Sequence, residues 1–136
     1  MKKIILFIAL GLFFTSCDLG DEEPNYTLEI LPISEVTMPT AFAKDSITEI
    51  PLKYIRPTSC HFFDDFYYEK INFQRTVAIY CAKANLDNCQ NDNVTVIEVP
   101  LRFKPTELGT YHFKFWTGEN SLGANQFLEY DVVVDH

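Results

Sequence analysis

The chain has 136 residues, 47% hydrophobic and 15% aromatic, with 11 basic against 19 acidic side chains and a net charge of −8. That length suits a single compact core, and twelve Phe, seven Tyr and one Trp supply the apolar bulk to fill it. An acidic chain without a basic patch lacks what phosphate-backbone binding requires, so no nucleic-acid partner is expected.

The first sixteen residues read as a signal peptide: Lys2 and Lys3, an apolar run from Ile4 to Phe14, then Thr15 and Ser16 before Cys17. As a helix that run would reach about 16 Å, roughly half the hydrocarbon core, too short for a permanent span. Cleavage before Cys17 and lipidation of that residue are expected, leaving a mature chain anchored to a membrane rather than crossing it. Without residues 1–16 there remain 9 basic and 19 acidic side chains, a net −10 over 120 residues. Residues 17–25 form an acidic tether, Asp18-Leu19-Gly20-Asp21-Glu22-Glu23-Pro24, with no hydrophobic period. An acidic stretch behind a lipidated cysteine resembles the surface-export signals of Bacteroidota lipoproteins, which implies display on the outer membrane, facing the exterior.

Residues 26–136 read as one domain whose dominant period is two. Leu28 and Ile30, then Val36 and Met38 beyond Pro32, give a kinked first strand. Residues 46–56 give a second, where Pro51 marks an edge or a bulge. Tyr67–Phe73 is a third, with a turn over Asn72 to Arg75, and Val77, Ile79 and Cys81 line one face of a fourth. Ile97, Val99, Leu101 and Phe103 line a fifth, Tyr111, Phe113 and Phe115 a sixth, and Leu128, Tyr130, Val132 and Val134 a seventh. No segment sustains a helical period, so the pattern predicts a two-sheet antiparallel sandwich.

Leu108-Gly109-Thr110-Tyr111-His112-Phe113 resembles the turn into the sixth strand of immunoglobulin-like domains, where Gly makes the turn and the Tyr hydroxyl caps backbone groups. Phe113 stands where antibody domains carry a cysteine, and Trp116 lies on this strand rather than the third. The expected class is therefore an all-β, immunoglobulin-like antiparallel sandwich of about seven strands, without the antibody disulfide.

With Cys17 lipidated, three cysteines remain in an exported domain that oxidises two of them. In a simple up-and-down course the loops at 57–66 and 84–92 project from one end, which favours a Cys60–Cys89 bridge, with Cys81 directed to the core. Cys81–Cys89, eight residues apart across a hairpin, is the alternative. The stretch Arg56-Pro57-Thr58-Ser59-Cys60-His61, with Asp65-Phe66-Tyr67-Tyr68, Arg75-Thr76-Val77-Ala78, Asn88-Cys89 and Phe113-Lys114-Phe115-Trp116 ahead of Gly118 and Gln126, resembles a group of small flavobacterial lipoproteins. The resemblance covers about residues 45–134. It includes Cys60 and Cys89 but not Cys81, which implies the first pairing, and it brings no activity with it.

The chemistry-bearing candidates lie in three loops: His61, Asp64 and Asp65 in 57–66, Asp87 and Asp92 in 84–92, and Glu119, Asn120 and Asn125 in 118–125. Zinc spacing is absent, and Asp87 to Asn93 only loosely suggests a calcium loop. That end can hold an ion or a glycan; the simpler reading is a set of solvated loops whose Phe62, Phe63 and Phe66 plug the end of the sandwich. The first strand starts at the same end, so these loops would face the membrane. Asp45-Ser46-Ile47 matches the short pattern of Bacteroidota O-glycosylation, making Ser46 a candidate acceptor. No nucleophile elbow, glycine-rich phosphate loop or H-E-x-x-H is present, so neither enzyme activity nor a cofactor is expected. The expected role is a lipid-anchored binding or structural accessory of the outer membrane, with an envelope protein or a glycan as partner. The alternative is a surface carbohydrate- or calcium-binding protein that uses the three loops, and an enzyme is a remote third reading.

Overall fold

A computed structural model describes residue 20 and residues 25–136. The signal peptide, Cys17 and most of the tether therefore lie outside the described residues. The fold is the expected all-β two-sheet sandwich, with eight strands among the described residues. These are β1 (Tyr26–Leu31), β2 (Glu35–Val36), β3 (Thr48–Ile55), β4 (His61–Ile71), β5 (Gln74–Ala84), β6 (Val96–Phe103), β7 (Gly109–Glu119) and β8 (Asn125–Val134).

The small sheet runs β2-β3-β6, all antiparallel. Ile50, Leu52 and Tyr54 of β3 and Val99, Leu101 and Phe103 of β6 point inward at every second residue and are buried. In the large sheet β5 pairs with β4 along one edge. Its other edge is shared: β1 takes residues 79–84 antiparallel, and β7 takes residues 74–77 in parallel before pairing with β8. The parallel pair is a departure from the fully antiparallel sandwich read from the sequence.

The kinked first strand resolves into two strands in different sheets, because the chain crosses at Pro32, where no backbone N–H is available to continue a ladder. Pro51 sits in the central strand of the small sheet without a bulge, opposite Pro100 of β6. Its carbonyl accepts the Thr37 N–H at 2.9 Å, so its missing donor faces the side where the two-residue β2 has already ended. Pro100 lies on an edge strand, where a missing donor costs no ladder bond.

The third strand is longer than its alternation shows, because β4 begins at His61 and carries a bulge between Phe63 and Asp65. The bulge lets both Phe63 and Phe66 pack on the core, half-buried and with ring centroids 5.0 Å apart. Phe62, by contrast, is exposed on the outer face and plugs nothing.

Aromatic side chains join the layers. Phe103 of the small sheet meets Tyr111 at 5.2 Å and Phe113 at 4.9 Å, both edge-on, and Phe113 stacks on Phe115. The Tyr111 hydroxyl folds back as expected, donating to the Glu107 carbonyl at 3.0 Å and accepting the Glu107 N–H at 3.2 Å. Gly109, at φ 146°, makes this turn possible, since a Cβ there would lie 2.8 Å from the Phe73 ring.

Candidate functional site

The loop cluster expected to carry function is built mostly as a structural clamp. Cys60 and Cys89 form the disulfide, whereas Cys81 is a free thiol buried in the core, its pKa raised by burial first of all. Residues 61–66 belong to β4, so His61, Asp64 and Asp65 stand on a strand rather than in a loop. His61 is buried, with Nε2 2.7 Å from the Glu29 carboxylate and Nδ1 2.7 Å from the Thr58 hydroxyl, which also accepts the Cys60 N–H. Its ring thus ties the start of β4 to β1 and to the disulfide loop. Asp64 is exposed at the bulge, and the exposed Asp65 accepts the N–H of Phe66 at 2.8 Å.

Asp87 is exposed in the turn after β5. Both oxygens of Asp92 are taken: Oδ2 accepts from Arg56 at 2.9 and 2.7 Å and from the Thr95 hydroxyl at 2.7 Å, and Oδ1 accepts the Val94 and Thr95 N–H groups. The Thr95 hydroxyl and N–H, with Val94 and Arg56 behind them, hold this carboxyl far below the usual carboxylate range. A depressed pKa stabilises the folded state above the unfolded value of about 3.9 and loses that contribution as pH falls below it. Asp92→Asn should therefore be less stable than the parent at pH 7 and flatter in stability below about pH 4. Urea unfolding between pH 7 and 2.5 measures this, and parallel pH profiles for the two proteins would refute it.

Asn120 turns the β7–β8 hairpin, its Oδ1 accepting the N–H groups of Leu122 and Ala124 at 2.9 and 3.0 Å. Glu119 ends β7, exposed. Ser46 is exposed in the segment before β3, next to Asp45 at φ 61°, so the expected acceptor hydroxyl is accessible. Among the described residues no three His, Cys, Asp or Glu side chains converge as metal ligands.

A concavity lies elsewhere, on the outer face of the large sheet. β5 carries small side chains there, Thr76 and Ala78, between taller neighbours. Tyr67 of β4 pairs directly with Ala78. Trp116 follows Phe115, the last β7 partner of β5, and is itself opposite Phe127 of β8. The row Tyr67, Ala78, Trp116, Phe127 therefore crosses four strands, low at Ala78. β7 parts from β5 at this level: the Trp116 carbonyl accepts the N–H of Ile33, and a register shift before Gly118 bends the strand. The result is an open groove of about 500 Å³ lined by this row with Ile30, Thr76, Glu119 and Asn125. Asn125 Oδ1 accepts the Trp116 indole N–H at 3.0 Å and fixes its plane. The Lys114 ammonium sits 4.3 Å over the Phe127 ring.

Two rows from Trp116, His112 of β7 lies between Asp131 at 2.6 Å from Nδ1 and Glu129 at 3.0 Å from Nε2. These two hydrogen bonds, Asp131 first, raise its pKa and favour the imidazolium. Of the ligand-loop candidates, Glu119 and Asn125, at the two ends of the 118–125 loop, line the groove, and the others do not. The missed signal is parity: Trp116 and Phe127 fall on the positions that alternate away from the inward rows of β7 and β8.

No protein-family model matches the chain, and no curated protein or solved structure matches it.

Proposed function

We propose that this chain is a lipid-anchored, non-enzymatic binding protein of the outer membrane, held through Cys17 and facing the exterior. Its working surface is the outer face of the large sheet. The leader from Met1 to Cys17 and the acidic tether support the location, as does the resemblance to small flavobacterial lipoproteins. The observation that carries the binding reading is the aromatic groove of Tyr67, Trp116 and Phe127 over the low floor of Ala78. Large apolar side chains gathered around open space on an exterior sheet face do not serve the core, which is already filled from the other face.

Two measurements test the two halves. Labelled palmitate should enter the parent chain and leave it in the membrane fraction, whereas Cys17→Ala should be unlabelled and released; an unlabelled parent would end the anchor reading. Trp116 is the single tryptophan, so its emission reports on the groove alone. Lipid, peptidoglycan and polysaccharide fractions of the envelope, titrated against the full chain carrying Cys17→Ala, should include one that changes the emission saturably. Silence from all three fractions would end the binding reading.

A further inference from the structure

We infer that the groove binds a neutral pyranose glycan, one sugar ring resting on the aromatic row. The inference rests on the binding reading and names its ligand class. Tyr67 and Trp116 stand on strands that flank β5, two strand spacings or about 10 Å apart at the last β5–β7 pair, Val77 with Phe115, one residue before Trp116. That slot admits a single six-membered ring over the Ala78 methyl, whereas a helix with its side chains is about 10–12 Å across and would ride above it. An extended peptide has no purchase either. The groove is on a sheet face whose central strand is hydrogen-bonded along both edges, and strand addition needs a free edge.

The polar groups select among flat ligands. Glu119 and Asn125, paired with each other, border the aromatic row on one side and Thr76 borders it on the other, which suits a ring with apolar C–H faces and a rim of hydroxyls and gives an acyl chain nothing to pair with. With Asn125 Oδ1 engaged by the indole, its side-chain N–H groups remain to donate, and the Glu119 carboxylate accepts. The lining itself holds one carboxylate and no cation, and the nearby Lys114 ammonium is spent on the Phe127 face, so in an acidic chain phosphorylated or sulfated ligands are disfavoured. A quaternary ammonium is disfavoured by Lys114, whose own charge already occupies the face of Phe127 at 4.3 Å. A neutral polyol meets none of these penalties and finds donors and acceptors at the rim.

The test titrates the full chain carrying Cys17→Ala with neutral cello-, xylo-, manno-, malto- and chito-oligosaccharides, and with heparin and choline as charged probes, reading Trp116 emission and calorimetric heat. At least one neutral series should bind saturably, and neither charged probe should. Tyr67→Ala, on a half-exposed edge strand, should weaken binding by at least about tenfold. Ala78→Phe, which fills the floor, should abolish it, and Asn125→Ala provides a second loss should the buried site at 78 not tolerate the ring. Binding of heparin or choline in place of the neutral series overturns the inference, as does silence from the whole neutral panel. If the panel is silent while a lipid or peptide fraction still moves the emission, the glycan class fails and the binding reading stands. A loss confined to conditions in which the chain dimerises, seen by analytical ultracentrifugation, would instead make the groove a self-contact and also overturn the inference.

Discussion

Replacing Cys60 and Cys89 together by alanine lowers the unfolding free energy by about 3–4 kcal/mol, enough to bring a domain of this size near the limit of stability. The bridge joins residues 29 apart in sequence and so closes a loop that contains the whole β4–β5 hairpin. By the chain-entropy estimate a loop of that length removes about 3–4 kcal/mol of freedom from the unfolded chain. The folded end does not depend on the bond for its shape. Ser59 and Gln90 exchange hydrogen bonds, Thr58 bridges Asn91, and Arg56 holds Asp92. The variant should thus keep the native fold while its melting temperature drops by on the order of 10–20 °C. Thiol counting makes the assignment independent of stability. The parent chain carrying Cys17→Ala should show no reactive thiol when folded, because Cys81 is fully buried, and one when denatured. Three thiols on denaturation, or a stability change under about 1 kcal/mol, would refute the account.

The sequence reveals the inner layer of this fold much better than the outer one. Rows such as Ile50-Leu52-Tyr54 and Tyr111-Phe113-Phe115 alternate with polar or small neighbours, and each is buried where its period places it. Cys60 and Cys89 meet because β3 and β5 end at the same end of the sandwich, which follows from an up-and-down course. The start of β4 fails this reading for a local reason. A bulged residue resets the alternation, so Phe63 and Phe66, three apart, both face inward, and a strict period of two sees no strand before Tyr67. The parallel pairing of β5 with β7 fails for a non-local one: β7, some forty residues from β5, shares one edge of β5 with β1, and nothing in either sequence encodes which neighbour it will find.

The groove was hidden by the same bias. Polar and charged residues in predicted loops look like sites, yet His61 and Asp92 spend their hydrogen-bonding capacity on the chain itself. The informative residues were those on the outward parity that are not polar: Ala78, Trp116 and Phe127, with Tyr67 beyond the bulge. β5 carries the signal most plainly, since Val77, Ile79 and Cys81 are buried in the core while Ala78 on the opposite face is buried between the taller Tyr67 and Trp116.

The two faces of β7 should separate cleanly on mutation. Phe113 is fully buried, stacked on Phe115 and edge-on to Phe103 across the sandwich, so Phe113→Ala opens a cavity between the sheets and should cost about 3–5 kcal/mol. Collapse around that cavity is restrained, because Phe103 is also pinned by Tyr111 and Phe42, and Tyr111 by its hydrogen bonds to Glu107. Trp116, three residues along, projects from the opposite face into the open groove. Trp116→Phe keeps a ring there and gives up one hydrogen bond to Asn125, at a cost of about 1 kcal/mol or less. Denaturant unfolding of the two variants, with tyrosine emission or circular dichroism as the readout, compares these effects directly. Equal losses would mean that the outer aromatic row is part of the stabilising core after all, which would undercut its assignment as a binding surface. A large loss at Phe113 with near-parental stability at Trp116 leaves the outer row free of structural duty, which is the condition for those residues to be held for a ligand.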